Sequence, residues 1–352
     1  MKKILCAFLV LSLAISLFSC QVKTRSRTVS GEYFHTQSVI STYADTTDKK
    51  IESYVSIADQ VLSHYHKLFH IYEDFEGVNN IKTINDHAGK SPVKVEVEMI
   101  DFLEYCKELY TITGGKTNVM LGSVLKIWHE CREEADDNFG YLPPESLPDN
   151  EALRAASAHT SIDDLIIDRE SSTVYIRDAE ASLDVGAIAK GYVVDLLYER
   201  LRLAGANATV LNVGGNIRTI GEKPDKTPWV SAIRNPDITS DEPFAVRIQI
   251  GEVSIVTSGD YERFFISGTE EYHHIIDPET LRPARYFSSV SICCRNSALG
   301  DALSTALFCM SYEDGAALVN SLVQQGHFLE VLWIDPEGRM QMTDGFASMI
   351  CE

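Results

Sequence analysis

Residues 183–221, LDVGAIAKGYVVDLLYERLRLAGANATVLNVGGNIRTIG, constrain the fold of this chain more than any other stretch. They read as strand, glycine turn, helix, strand, glycine turn. Leu183–Val185 is short and apolar and predicts a strand, and Gly186-Ala187 opens a tight turn. Val193, Leu196, Leu197, Leu201 and Ala204 then recur at helical spacing until Gly205 stops the helix. Ala208–Val213 predicts a second buried strand. Both turns let backbone approach a ligand closely, and the first offers N–H groups at a helix N-terminus, where phosphate binds well. A structural need for glycine in tight turns explains the spacing equally well.

Two phosphate motifs are excluded. Gly186 to Gly191 has the spacing of a P-loop start, but Tyr192-Val193 stands where Lys-Ser/Thr is required. Val213-Gly214-Gly215-Asn216 lacks the third glycine and the following helix of a dinucleotide fingerprint.

LDVGAIAKGYVVD and LNVGGNI, followed by SGDYERFF from Ser258, YHHIIDPET from Tyr272 and GDALSTALFCM from Gly300, resemble the signature of the ApbE family, the FAD:protein FMN transferases. The resemblance runs from about Tyr33 to the C-terminus. It implies one α+β domain over residues 32–352, related to the T-fold proteins, with mixed or antiparallel sheets and packed helices. It also implies magnesium as cofactor, FAD as substrate, and transfer of FMN to a threonine of an acceptor flavoprotein with release of AMP.

By the family's positions, Tyr72, Lys116, Thr117, Asn118, Asp184, Lys190 and Ile275 contact FAD. The resemblance implies that magnesium is held by Asp301, Thr305 and the carbonyl of Ala187; His274 and Asp301 are the candidate catalytic residues, either of which could receive the hydroxyl proton. From the residues alone, Asp301 and Thr305 stand i, i+4 on a predicted helix from Ala298 to Met310, so a carboxylate and a hydroxyl share one face. Hard oxygen ligands of this kind suit magnesium or calcium, although such pairs also occur as caps and surface residues. Lys190 suits phosphate and Asp184 a polar flavin or ribose group, with a salt bridge across the turn as the alternative. Tyr72 also reads as a core aromatic closing a helix, and Asp277 as a turn-former before Pro278. Alternation sends His273 and His274 to opposite sides of a strand over Tyr272–Ile276.

The chain departs from the family twice. The family's Phe-Asp-x-Thr-Val-Gly reads here as Thr117-Asn118-Val119-Met120-Leu121-Gly122, replacing a carboxylate by an amide, and Leu281 stands where a glycine is usual. Two other activities share the same residues: hydrolysis of FAD to FMN and AMP, and non-catalytic FAD binding by a lipoprotein.

Lys2-Lys3, an apolar run from Ile4 to Phe18 and Leu17-Phe18-Ser19-Cys20 read as a lipoprotein signal, with 1–19 removed and Cys20 lipidated. Residues 20–31 read as a flexible tether, since Gln21–Ser30 is polar and aperiodic. The expected location is extracytoplasmic, anchored by lipid to a bacterial membrane. The expected acceptor is a flavoprotein subunit of an electron-transfer or ion-pumping complex there. The net charge of −20 argues against nucleic acid as partner. It also means that a multiply charged anion needs local compensation, which a divalent metal supplies. Cys106, Cys131, Cys293, Cys294, Cys309 and Cys351 form no CxxC pair, and buried thiols or disulfides both fit.

Elsewhere, Tyr33–Tyr43 predicts a strand, Asp48–Tyr72 and Glu96–Thr113 amphipathic helices, and Ile162–Asp168 with Thr173–Arg177 a hairpin. Trp229–Ile233, Phe244–Ile250 and Val253–Thr257 predict strands. Glu130–Asn150, acidic with Pro143-Pro144, reads as a solvated excursion.

Overall fold

Short runs of inward-facing apolar residues, each ended by a turn, build an eight-stranded sheet whose spatial order is the chain order. Its strands are β1 (Thr24–Tyr33), β2 (Thr36–Tyr43), β3 (Thr209–Val213), β4 (Asn216–Ile220), β5 (Ser254–Gly259), β6 (Ser289–Cys294), β7 (Leu329–Ile334) and β8 (Met340–Met342). Every neighbouring pair is antiparallel, so the sheet is one long meander. This computed structural model describes residues 24–43 and 47–351. The leader, Cys20 and the start of the expected tether lie outside the described residues.

Helices fill the insertions between strands. Between β2 and β3 come α1 (Asp48–Phe69), α2 (Val97–Ile112), α3 (Gly122–Asp137) and α4 (Ala189–Leu203), and α5 (Ser297–Phe308) follows β6. Thr47 caps α1 by accepting from Lys50 N, and Ile51, Tyr54, Ala58 and Leu62 form its buried stripe. Helix α5 lies on β5 and β6, with α4 packed against it and α1 against α4. Every residue of α5 except Thr305 is buried. Each fully buried leucine or isoleucine of these faces is worth roughly 1.5–3 kcal/mol.

The sheet is covered on both sides. Cys294 joins the large core beneath the helices, whereas Cys293 joins a second core with Trp229, Ile248 and Leu332, as strand alternation requires. That second core is roofed by a small sheet of Trp229–Arg234, Phe244–Ile250 and Ile350–Cys351. All six cysteines of the described residues are free thiols. The fold is α+β, and among the described residues no helix is long and apolar enough to cross a membrane.

Several segments differ from the sequence reading. Leu183–Val185 is not a strand: Leu183 N donates to Asn85 Oδ1 and Asp184 N to Val119 O, so other partners replace a ladder. From Thr24 the expected tether is strand β1. It lacks apolar alternation because it is an edge strand, where Arg25 pairs with Asp48 and Arg27 with Glu52. A turn at Phe34-His35, both at positive φ, splits the predicted Tyr33–Tyr43 strand into a hairpin. The acidic excursion from Glu130 is helical through Asp137, its buried side anchored by Cys131 and Ala135. The strand at Tyr272 stops at His273 and resumes at Ile276. Leu281 does occupy the left-handed region, at φ 61°, held by its N–H on Asp277 O and by Trp128 Nε1 on its carbonyl.

Candidate functional site

Helix α4 and the Gly214-Gly215 turn converge on Asp301. Gly191 lies where α4 and α5 touch: a Cβ there would stand 2.4 Å from Ser297 O and 2.7 Å from the Asp301 Cβ. That close approach lets Gly191 N donate to Asp301 Oδ2 at 2.8 Å. The second turn, Gly214-Gly215, has both residues at positive φ and closes the β3–β4 hairpin with Val213 opposite Asn216. It sets the buried Asn216 beside Asp301, where its amide favours the carboxylate, although Nδ2 itself reaches no acceptor at hydrogen-bonding distance. Burial raises the Asp301 pKa, against the opposing pull of Lys190, Gly191 N–H and Asn216.

In a regular helix Gly191 N–H would bond to the carbonyl four residues back, which is that of Ala187. Here it bonds to Asp301 instead, and among the described residues the Ala187 carbonyl has no backbone partner. Asp301, only 6 % exposed, keeps its other oxygen free of bonds to Gly191. Thr305 stands one turn further on, at the unburied position of α5. A carboxylate oxygen, a carbonyl and a hydroxyl on rigid elements form a donor set that fits magnesium.

His273 and His274 face opposite ways. Burial pulls His273 down to about 4; its Nδ1 accepts from Ile275 N and its Nε2–H donates to Ala284 O, so it is a structural link. His274 donates its backbone N–H to Arg263 O, and its Nδ1 is buried without a partner. Burial, followed by the charges of Arg263, His273, Lys190 and Arg132, pulls its pKa down to about 3. Among the described residues none of Lys190, Arg132 and Arg263 forms an ion pair, so these cations are available to an anion.

Tyr72 and Asp184 meet through His129, a residue of α3. The Tyr72 hydroxyl lies 2.8 Å from His129 Nδ1, and His129 Nε2 lies 3.8 Å from Asp184 Oδ2. Asp184 Oδ1 accepts from Gly186 N at 2.9 Å, tying the chain to the turn that carries Ala187. Tyr72 is 51 % exposed; the partial burial of its ring, and then the Asp184 charge, push the hydroxyl up to about 12. Burial lowers the His129 pKa.

The other expected flavin contacts already have protein partners. Lys116 Nζ bridges Asp277 at 3.1 Å and Glu279 at 2.9 Å; burial opposes its charge, and Glu279 and Asp277 more than offset that. Asp277 also accepts from Glu279 N, as a turn-former would. Thr117 Oγ1 donates to Ala302 O at 2.6 Å, stapling its segment to α5 beside Asp301. Asn118 donates through Nδ2 to Thr160 O and accepts from Met120 N. Ile275 is buried, with its carbonyl taken by Ala284 N. A cleft of about 550 Å³ borders Thr160 and Glu279, the partners of Asn118 and Lys116, and does not reach Asp301 or His274.

His129, Arg132 and Arg263 were not foreseen. The first two bracket Glu130-Cys131, in a stretch whose acidity masked a helix face turned toward Tyr72. No local signal marks Arg263, which reaches the site through the strand pairing of Phe264 with His273.

Comparisons with known proteins identify the family and the fold. The sequence profile described as the ApbE family matches residues 34–329. The chain is 31% identical over 284 residues to the FAD:protein FMN transferase of Treponema pallidum (strain Nichols), covering 77% of this chain and 74% of that protein. It is 30% identical over 264 residues to the FAD:protein FMN transferase of Klebsiella pneumoniae (strain 342), covering 74% and 78%. The crystal structure of the ApbE protein from Thermotoga maritima superposes with a TM-score of 0.77 at 26% identity, covering 94% of this chain and 100% of that one. The flavin transferase ApbE from Vibrio cholerae shares the fold, with a TM-score of 0.74 at 24% identity over 93% of this chain and 99% of that one.

Proposed function

Because the chain belongs to the ApbE family and is an FAD:protein FMN transferase, we propose that it moves FMN to a threonine of an acceptor protein, releases AMP, and requires magnesium. The observation that carries this reading is the Gly191–Asp301 bond, which leaves the Ala187 carbonyl without a backbone partner. Asp301, Thr305 and Ala187 would hold the ion. Bound there, it would supply Lewis-acid polarisation of a phosphoryl oxygen.

Lys190, Arg132 and Arg263 bind the pyrophosphate of FAD, and Tyr72 and Asp184 hold its flavin end. The acceptor threonine Oγ–P bond forms as the bridging P–O bond breaks, and AMP leaves with the bridging oxygen. His274 takes the hydroxyl proton: its Nδ1 has no protein partner and its imidazole is neutral near pH 7, and because a pKa of about 3 makes it a weak base, the pyrophosphate anion bound beside it must raise its basicity for the transfer. Asp301 is less suited, since one of its oxygens is held by Gly191 N. The lipobox at Cys20 supports an anchored, extracytoplasmic enzyme whose acceptor is a flavoprotein subunit of an electron-transfer or ion-pumping complex in the same membrane.

The test uses protein starting at Gln21 with FAD, magnesium and an acceptor flavoprotein domain, reading in-gel flavin fluorescence and AMP together. A fluorescent acceptor band lost with EDTA and with Asp301→Ala supports the reading. FMN and AMP without a labelled band, across several acceptors, would show a hydrolase instead. A blocked N-terminus at Cys20, read by mass spectrometry of the membrane fraction, tests the anchor.

A further inference from the structure

We propose that His129 is a positioning residue that orients the Tyr72 hydroxyl so that it accepts, rather than donates, a hydrogen bond at the flavin end of FAD. This rests on the reading that Tyr72 and Asp184 contact the flavin.

The argument is one of proton placement. His129 sits between two groups of opposite demand, with Nδ1 2.8 Å from the Tyr72 hydroxyl and Nε2 3.8 Å from an Asp184 oxygen. A distance of 3.8 Å is too long for a hydrogen bond, but a carboxylate so near a largely buried ring still favours the proton on Nε2. With Nε2 protonated, neutral His129 has a lone pair on Nδ1, and the Tyr72 hydroxyl must donate to it. Tyr72 keeps its proton at neutral pH, since its pKa is pushed up to about 12. Its oxygen is left with lone pairs only, so the ligand group it meets must be a donor, such as a ring N–H or a sugar hydroxyl. Asp184 is held in turn by Gly186 N, one residue before Ala187. His129 thus links the flavin end of the site to the turn expected to carry the metal. It is 57 positions from Tyr72 in sequence, and only the packing of α3 brings them together.

The test is FAD affinity, by quenching of flavin fluorescence, for intact protein starting at Gln21 carrying Tyr72→Phe, His129→Leu, both, or His129→Asn. Asparagine keeps an acceptor near the Nδ1 position, whereas leucine fills the space without one. The expected result is that Tyr72→Phe and His129→Leu each weaken FAD binding about tenfold, the pair no more than either alone, and His129→Asn much less. The loss should fall on KM for FAD more than on kcat. Additive losses, or leucine tolerated better than asparagine, would reduce His129 to packing and overturn the proposal. Wild-type protein that binds no FAD would overturn the flavin reading itself, and this inference with it. Thermal melts of each variant separate failure to fold from loss of affinity.

Discussion

Asp195 and Asp301 each cap the helix that carries the other. Asp195, on α4, accepts from Ser297 N and Ala298 N in the first turn of α5, both at 2.9 Å. Asp301, on α5, accepts from Gly191 N in the first turn of α4 at 2.8 Å. Each carboxylate thus meets orphan N–H groups at the positive end of a helix dipole. The exchange fixes the two helices in mutual register and, with them, the position of the expected metal ligands.

Its electrostatic cost should be measurable. Burial raises the Asp195 carboxyl from its ordinary 3.8 to about 6, with Asp301 adding to the rise. A carboxyl whose pKa is higher folded than unfolded binds protons more tightly in the fold. Its contribution is therefore complete below about 3.8 and lost as pH rises through about 6. Urea unfolding from pH 4 to 7 should show wild-type protein losing up to roughly 3 kcal/mol relative to Asp195→Asn. Parallel stability curves would remove this linkage.

Gly191→Ala should be clearly destabilising. Its methyl would meet the Ser297 carbonyl and the Asp301 Cβ of α5 at the distances above, so the two helices would have to part. Overpacking of this kind costs about 1–3 kcal/mol. The expected outcome is a lowered melting temperature together with loss of transfer at temperatures where the variant is still folded. A stable, active variant would show that the helix contact is softer than described.

His274→Ala should lower kcat by roughly 10²–10⁴-fold. Because burial and the surrounding cations hold the imidazole neutral down to about pH 3, kcat/KM for FAD should show no histidine ionisation of this origin between pH 5 and 8. The profiles of wild type and variant should have the same shape at different heights. An inflection near pH 6.5 that vanishes in His274→Ala would refute the depressed pKa.

Asn118→Asp restores the residue usual in the family and should nevertheless destabilise this protein. Nδ2 of Asn118 donates to Thr160 O, and a carboxylate there would face a carbonyl with no proton between them. Leaving such groups unsatisfied costs about 1–3 kcal/mol. Urea midpoints would register that loss, and an unchanged midpoint would mean that the loop at Thr160 rearranges freely.

Much of this was legible in the sequence wherever the determinants are local. The α4 periodicity and its stop at Gly205, the paired glycines of the β3–β4 turn, the split of Cys293 from Cys294 and the shared face of Asp301 and Thr305 all follow from spacing. Strand β1 was hidden because ion pairs to α1, not apolar side chains, hold its exposed edge. His129 and Arg132 were hidden because a helix with an acidic outer face and an inner face turned toward Tyr72 resembles a solvated loop until its partner is known. Thr117 and Asn118 were placed by family position, and only the packing reveals how fully their side chains are engaged.

Thr305 is the single opening in a helix otherwise enclosed on all sides. An element so tightly held cannot follow a substrate, so the geometry it holds pre-exists, and in the proposed reaction the travelling parts would be the flavin and the incoming threonine. Amides of α5 should accordingly exchange with solvent on the timescale of global unfolding, placing the expected chemistry on the least yielding part of the molecule.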